Sequence, residues 1–206
     1  MFLTLEGPEG AGKSTQAEML VKYLISTGRP AVLVREPGHT ALGEALRDIL
    51  LNRAAIPVDA RAEVLLFAAA RAELVQEVIR PELARGEIVV CDRYSDSTLA
   101  YQSFGRGLDL DEVGEVVRFA TGGLGPDLTF LLDLPPEEGL RRGGKHPSDR
   151  FERETIDFHR RVREGYLTLA RLSPRRWCII DARLGRQEIA ATIRGAVESL
   201  LKAQVS

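Results

Sequence analysis

The stretch Gly7-Pro8-Glu9-Gly10-Ala11-Gly12-Lys13-Ser14, followed by Thr15, satisfies the pattern G-x-x-x-x-G-K-[ST] in full. An apolar run at residues 2–5 feeds it and a helix-like run at residues 15–26 follows, so the pattern sits between a strand and a helix, where its chemistry requires it. Glycines let the backbone curl until successive N–H groups point inward at phosphate oxygens. The new helix adds the partial positive charge of its N-terminus. Lys13 then reaches the outer phosphates and the Ser14 hydroxyl is suited to Mg²⁺. Lysine is scarce here, with only Lys13, Lys22, Lys145 and Lys202 among 28 basic residues, so local composition does not supply one at this position by default. Residues 7–15 read as a nucleoside triphosphate site.

Outward from this loop, short apolar runs alternate with longer helical patterns. Strands are expected at residues 2–6, 31–35, 87–91, 128–133 and 176–180, and helices at 13–27, 42–51, 59–84, 110–120, 149–172 and 187–202. Nearly continuous apolar strands separated by helices indicate a parallel sheet covered on both faces. The expected architecture is a doubly wound α/β domain of the P-loop NTPase type, five-stranded, with ligands at the carboxyl ends of its strands. No repeat or linker divides residues 1–206, which read as a single domain. Residues 141–147 (Arg-Arg-Gly-Gly-Lys-His-Pro) interrupt two helical patterns with glycines, a proline and cationic groups, the composition of a mobile basic loop.

Composition narrows the partners. A net charge of −2 argues against a general nucleic-acid binder, which carries a basic excess. No run approaches the roughly 20 apolar residues that span a bilayer. The N-terminus enters a strand without a basic n-region, so no secretory signal is expected and the cytoplasm is the expected location. Cys91 and Cys178, both in apolar runs, read as small core hydrophobes.

A second nucleotide-binding element follows from residues 88–92, an apolar strand ending in Asp92. A carboxylate there holds Mg²⁺ through its water shell, and Arg93 beside it suits bidentate contact with a phosphoryl group. Arg35, Glu36 and Pro37 end the second strand, and Arg47 lies one helix on. Phe67 and Arg71, four apart on a helix, share a face and suit stacking on a base and bonding to its carbonyl edge. Taken alone, Phe67 reads rather as core and Arg71 rather as a solvated helix face. With Thr98, Tyr101 and Gln102 they outline a second, base-sized pocket facing the phosphate loop.

These residues carry a resemblance to a known family. The strings Leu5-Glu6-Gly7-Pro8-Glu9-Gly10-Ala11-Gly12-Lys13-Ser14-Thr15, Arg35-Glu36-Pro37-Gly38, Leu65-Leu66-Phe67-Ala68-Ala69-Ala70-Arg71, Asp92-Arg93-Tyr94, Ala100-Tyr101-Gln102 and Pro126-Asp127-Leu128-Thr129 resemble, in order and spacing, those of bacterial thymidylate kinases. The resemblance covers residues 2 to about 181. It implies a homodimer that transfers the γ-phosphoryl group of ATP to dTMP with Mg²⁺. It further implies that Phe67 stacks on thymine, Arg71 bonds O4, Thr98 approaches N3 and Tyr101 lies under the deoxyribose. Arg47 and Arg93 would hold the dTMP phosphate, beside Glu36, Pro37 and Gln102, and Glu9 would reach toward the 3′-hydroxyl.

By the same resemblance, an acidic Glu9 in the phosphate loop places the chain among the members whose catalytic positive charge resides in a lid, here near residues 141–150, with Lys145 meeting the transferring phosphate, Arg142 second, and Arg150 nearer the adenine. Two departures stand out: His39 where a second glycine is common, and Gly-Gly-Lys where lid arginines are commoner. An ionised phosphate acceptor needs no general base, so alignment and charge neutralisation by Lys13, Arg93 and the lid cation carry the expected mechanism. A kinase of the same architecture for another monophosphate such as dUMP, or for a nucleoside, remains open on these residues. A GTP-dependent switch lacks its guanine-reading Asn-Lys-x-Asp, and the D-x-x-G at residues 111–114 falls inside a helical pattern.

Overall fold

Strands β1 (Phe2–Glu6), β2 (Ala31–Arg35), β3 (Ile88–Asp92), β4 (Leu128–Asp133) and β5 (Trp177–Asp181) form one parallel sheet in the order β2-β3-β1-β4-β5. The computed structural model describes residues 1–53, 55–143 and 149–205. Helices α1 (Lys13–Ser26) and α2 (Ala41–Arg47) are followed by α3 (Ala60–Leu74) and α4 (Arg80–Ala84). Then come α5 (Ser95–Thr98), α6 (Leu110–Thr121), α7 (Pro136–Gly143), α8 (Ile156–Leu172) and α9 (Arg186–Val205). Wider π-helical turns extend α2 (Asp48–Asn52) and α5 (Leu99–Gly105), and join α3 to α4 (Val75–Ile79).

Alternation along β1 builds both faces of the core. Leu3 and Leu5 pack with Leu20 and Leu24 of α1 and with Ile189, Ile193 and Val197 of α9, the apolar stripe of the last helix. Phe2 packs on the opposite face with Leu74, Ile79 and Tyr94. Glu6 therefore points away from α1, to the side covered by α5 and α8. All five strands end in a charged residue: Glu6, Arg35, Asp92, Asp133 and Asp181. Because the strands are parallel, these charges share one edge of the sheet. β1 is central, with β2 to one side of it and β4 to the other, so the loop after β1 opens where the strand order reverses, the crevice in which such sheets bind ligands.

Some boundaries differ from expectation. β3 and β5 each begin one residue late: β3 runs to Asp92 itself, and ahead of β5 the Arg176 side chain turns aside to Asp96 (2.6 and 2.9 Å) and Thr129 (2.8 Å). The helix expected from residue 149 starts at Ile156, capped by the Thr155 hydroxyl accepting from the Phe158 N–H. Ahead of it, the Asp149 carboxylate accepts from the N–H groups of Phe151 and Glu152 and fixes a turn. Helix α7 was not expected. Pro136 opens it, Glu137 and Glu138 lie in its first turn and Arg141 and Arg142 in its last, each charge matching the helix dipole. The start of the basic stretch is thus helical, while Lys145 lies outside the described residues.

Candidate active site

The phosphate loop takes its shape from three glycines at positive φ: Gly7 (142°), Gly10 (69°) and Gly12 (88°). Gly12 caps α1 and offers no side chain to the first helical N–H groups, which stay available to an anion. The loop is also crowded. A Cβ on Gly10 would lie 2.2 Å from the Gly139 carbonyl oxygen, and one on Gly139 would lie 2.1 Å from that of Glu9. Backbone thus rests directly on backbone between the phosphate loop and α7. The Lys13 ammonium donates to the Pro8 carbonyl (2.8 Å), and burial, then Arg93, lower its pKa to about 8. The Ser14 hydroxyl donates to the Asp92 carboxylate.

Arg93 lies at the centre. Its φ is 67°, a left-handed conformation that costs a non-glycine residue roughly 1–2 kcal/mol. One guanidinium nitrogen donates to the Glu9 carboxylate (2.7 Å) and to the Tyr101 hydroxyl (3.2 Å). The other reaches the Gly7 carbonyl (3.1 Å), the Ser97 hydroxyl (3.3 Å) and the Tyr166 hydroxyl (3.2 Å). Burial pushes the Glu9 carboxyl up, but Arg93, Lys13 and the Tyr101 hydroxyl (2.6 Å) together bring it down to about 2. Behind Arg93, Glu6 is fully buried, and burial with the nearby Asp96 raises its pKa to about 7.

Arg71 reaches the same region from α3. Its Nε donates to Glu36 (2.7 Å) and its Nη2 to Thr98 Oγ1 (3.0 Å) and the Tyr94 carbonyl (3.2 Å). Its Nη1 is buried with no hydrogen-bond partner among the described residues. Burial pushes the Glu36 carboxyl up and Arg71 draws it back; the guanidinium, held charged by Glu36, is the firmer of the two charges. Phe67, one turn away, faces Phe151 at 6.0 Å between ring centroids, and Phe151 stands edge-on to Tyr101 at 5.6 Å. Arg47 donates to the Pro37 carbonyl (2.7 Å). Gln102 turns its amide nitrogen to the buried Glu63 (2.7 Å), which also holds Arg106.

One cavity of about 390 Å³ joins these groups, with Lys13 and Ser14 at one end and Phe67, Arg71 and Thr98 at the other. A family model described as thymidylate kinase matches residues 5–193. The chain belongs to the thymidylate kinase family. Curated thymidylate kinases similar to it include that of Desulfovibrio desulfuricans, 49% identical over 98% of this chain and 97% of the relative. Another, from a Synechococcus, is 51% identical over 98% and 96%. The crystal structure of thymidylate kinase from Ehrlichia chaffeensis superposes with a TM-score of 0.79 at 32% identity, covering 96% of this chain and 98% of that one. The P-loop kinase fold expected of the sequence is the fold of this family.

Within this thymidylate kinase architecture most of the expected site residues meet. Glu9, Gly10, Gly12, Lys13, Ser14, Thr15, Glu36, Pro37, Arg47, Phe67, Arg71, Asp92, Arg93, Thr98, Tyr101 and Gln102 all line the cavity. Gly7, Pro8 and Ala11 shape the loop without forming its wall. Arg142 instead donates to the Ala182 carbonyl (2.9 Å) and Glu138 (2.8 Å), tying α7 to the loop after β5. Arg150 reaches the Ile56 carbonyl (3.4 Å), against the segment between α2 and α3. Leu51, Ser97, Asp149 and Phe151 line the cavity without having been expected there. Of these, Ser97 meets Arg93 (3.3 Å) although Arg93 precedes α5 with a left-handed backbone, so helical spacing gave no signal for it. His39 has φ 74°, a left-handed conformation that glycine adopts more readily than any other residue.

Proposed function

We propose that the chain catalyses transfer of the γ-phosphoryl group of ATP to dTMP, giving ADP and dTDP, as one kinase domain over residues 1–206. The observation that carries the substrate reading is the second compartment opposite the phosphate loop, where the buried Arg71 Nη1 has no hydrogen-bond partner among the described residues and the Phe67 ring lies one helical turn away. A planar base stacked on Phe67 and bearing a carbonyl oxygen meets both. Thr98 approaches N3, Tyr101 lies under the deoxyribose, and Glu9 turns toward the 3′-hydroxyl. Arg47 and Arg93 hold the acceptor phosphate, with Glu36, Pro37 and Gln102 around it.

The acceptor oxygen is already ionised near neutral pH, so the reaction needs no base. The work of the site is in-line alignment of two polyanions and neutralisation of the charge between them. Backbone N–H groups of residues 9–15 and the Lys13 ammonium take the triphosphate, and Arg93 bridges donor and acceptor. Each such contact is worth on the order of 3 kcal/mol of barrier. Ser14 and Asp92 offer hard oxygen donors fit for Mg²⁺. Among the described residues no cluster of three or more acidic, His or Cys side chains surrounds them, which suits an ion that keeps most of its water. Bound there, Mg²⁺ would neutralise phosphate charge.

Lys145 supplies the remaining cation, with Arg142 second once it leaves the Ala182 carbonyl and Glu138, Arg150 serves the adenine once it leaves the Ile56 carbonyl, and closure excludes water. We further propose a cytoplasmic homodimer with no nucleic-acid partner; no helix among the described residues is long and apolar enough to cross a membrane. The test is ADP release from ATP–Mg²⁺ alone and with dTMP, dUMP, dCMP, AMP or GMP. Stimulation by dTMP above the others is expected. Turnover without an acceptor would overturn the kinase reading, and preference for another monophosphate would overturn the base assignment.

A further inference from the structure

We propose that Glu6, which does not line the cavity, is the positioning residue that sets Arg93 for its grip on the acceptor phosphate. The inference rests on the reading of Arg93 given above and deepens it. Arg93 occupies a backbone conformation that only surrounding structure can impose on a non-glycine residue. Three bonds impose it. The Arg93 N–H donates to the Leu5 carbonyl (3.0 Å), the Cys91 thiol donates to the Arg93 carbonyl (2.9 Å), and the Tyr94 N–H donates to Glu6 Oε1 (2.7 Å). Two of the three partners belong to the end of β1.

The second oxygen of Glu6 serves the side chain. Oε2 lies 2.6 Å from the Ser97 hydroxyl and 3.0 Å from that of Tyr166. In its ionised form Glu6 accepts only, and Ser97 and Tyr166 share a further 2.8 Å contact in which either can donate, so the pair directs protons to Glu6 and to each other and keeps lone pairs for a third group. Those lone pairs face the Arg93 nitrogen, at 3.3 Å from Ser97 and 3.2 Å from Tyr166. One carboxylate therefore fixes the peptide after Arg93 and orders the acceptors that aim its guanidinium. Glu6 is 0% exposed, at a strand position whose face-mates are Phe2 and Thr4; Asp96 and Arg93 are the charged groups that act on it, and Lys13, Arg71 and Arg176 feel its charge in turn. A core needs no carboxylate there.

The readout is the ratio of dTMP to thymidine affinity, measured by calorimetry on the full chain. Thymidine shares the base and sugar but lacks the phosphate, so the ratio isolates what Arg93 holds. Arg93→Ala should lower the ratio at least about tenfold, and Glu6→Ala by a comparable factor, with thymidine affinity unchanged within about twofold. Glu6→Gln keeps an acceptor for the Tyr94 N–H but cannot order both hydroxyls, so an intermediate loss of about threefold or more is expected; this variant carries the test if Glu6→Ala does not fold. In the Arg93→Ala background, either Glu6 change should lower the ratio no further, the mark of two residues acting as one unit. An unchanged ratio in the Glu6 variants with a lowered one in Arg93→Ala overturns the inference alone. Equal losses of dTMP and thymidine binding reduce Glu6 to a structural role and overturn it too. An unchanged ratio in Arg93→Ala overturns the reading of Arg93 itself, and the inference with it.

Discussion

A buried donor without a partner costs a folded protein on the order of 1–3 kcal/mol, and among the described residues Arg71 Nη1 has none, one helical turn from the Phe67 ring. Truncating the two side chains should therefore give different signatures. Phe67→Ala, at a half-buried position, should weaken dTMP binding at least about tenfold while ATP affinity holds within about twofold, as read by calorimetry. Arg71→Ala should weaken dTMP binding too, but it also strands the buried Glu36 carboxylate, so unfolding in urea should show a loss of about 3 kcal/mol. Glu6 gives a test in pH. Its folded pKa of about 7 lies above the ordinary 4.5, so the folded chain holds that proton more tightly and the stability it confers is lost as pH rises between those values. Glu6→Gln has no proton to lose; in melts from pH 5 to 8 it should gain on the parent, by at most about 3 kcal/mol. At this scale the phosphate loop was legible because its chemistry demands fixed residues at fixed spacing. Glu6 was not, because its partners Ser97 and Tyr166 come from α5 and α8, and no local pattern reports a contact between β1 and a helix so far along the chain.

The contact between α7 and the phosphate loop belongs to elements rather than to side chains. Gly139→Ala would drive a Cβ into the Glu9 carbonyl, so loop or helix must shift. Stability should fall by about 1–3 kcal/mol and the KM for ATP should rise about fivefold, measured by urea unfolding and steady-state kinetics. Gly195→Ala, on α9 with nothing within 4 Å, is the control: it should leave the KM unchanged and add about 0.5–1 kcal/mol. Legibility differed among elements for physical reasons. The strands were plain because both faces of the sheet are covered, so their runs are almost wholly apolar. α7 was hidden because it begins at consecutive prolines and ends in the basic stretch, both of which read as loop. The π-helical turn at Leu99–Gly105, which carries Tyr101 and Gln102 to the cavity, leaves no mark on hydrophobic periodicity.

For the whole molecule, α3 and α6 each present a large apolar side chain to solvent, Leu65 at 59% and Phe119 at 88% exposed. If a second copy covers them, the parent should sediment as a dimer at micromolar concentration and the Leu65→Glu, Phe119→Glu double variant as a monomer; a monomeric parent would overturn the homodimer. The parallel α/β fold was readable from alternating strands and helices, while the pairing of Gly10 with Gly139 emerges only when the chain is folded. That pairing has a consequence for heredity. Both positions already carry the smallest residue, so a lesion at one has no compensating allele at the other. Second-site revertants of Gly139→Ala should map to contacts that tether α7, such as Glu137 with Arg160 or Arg142 with Ala182, and never to Gly10.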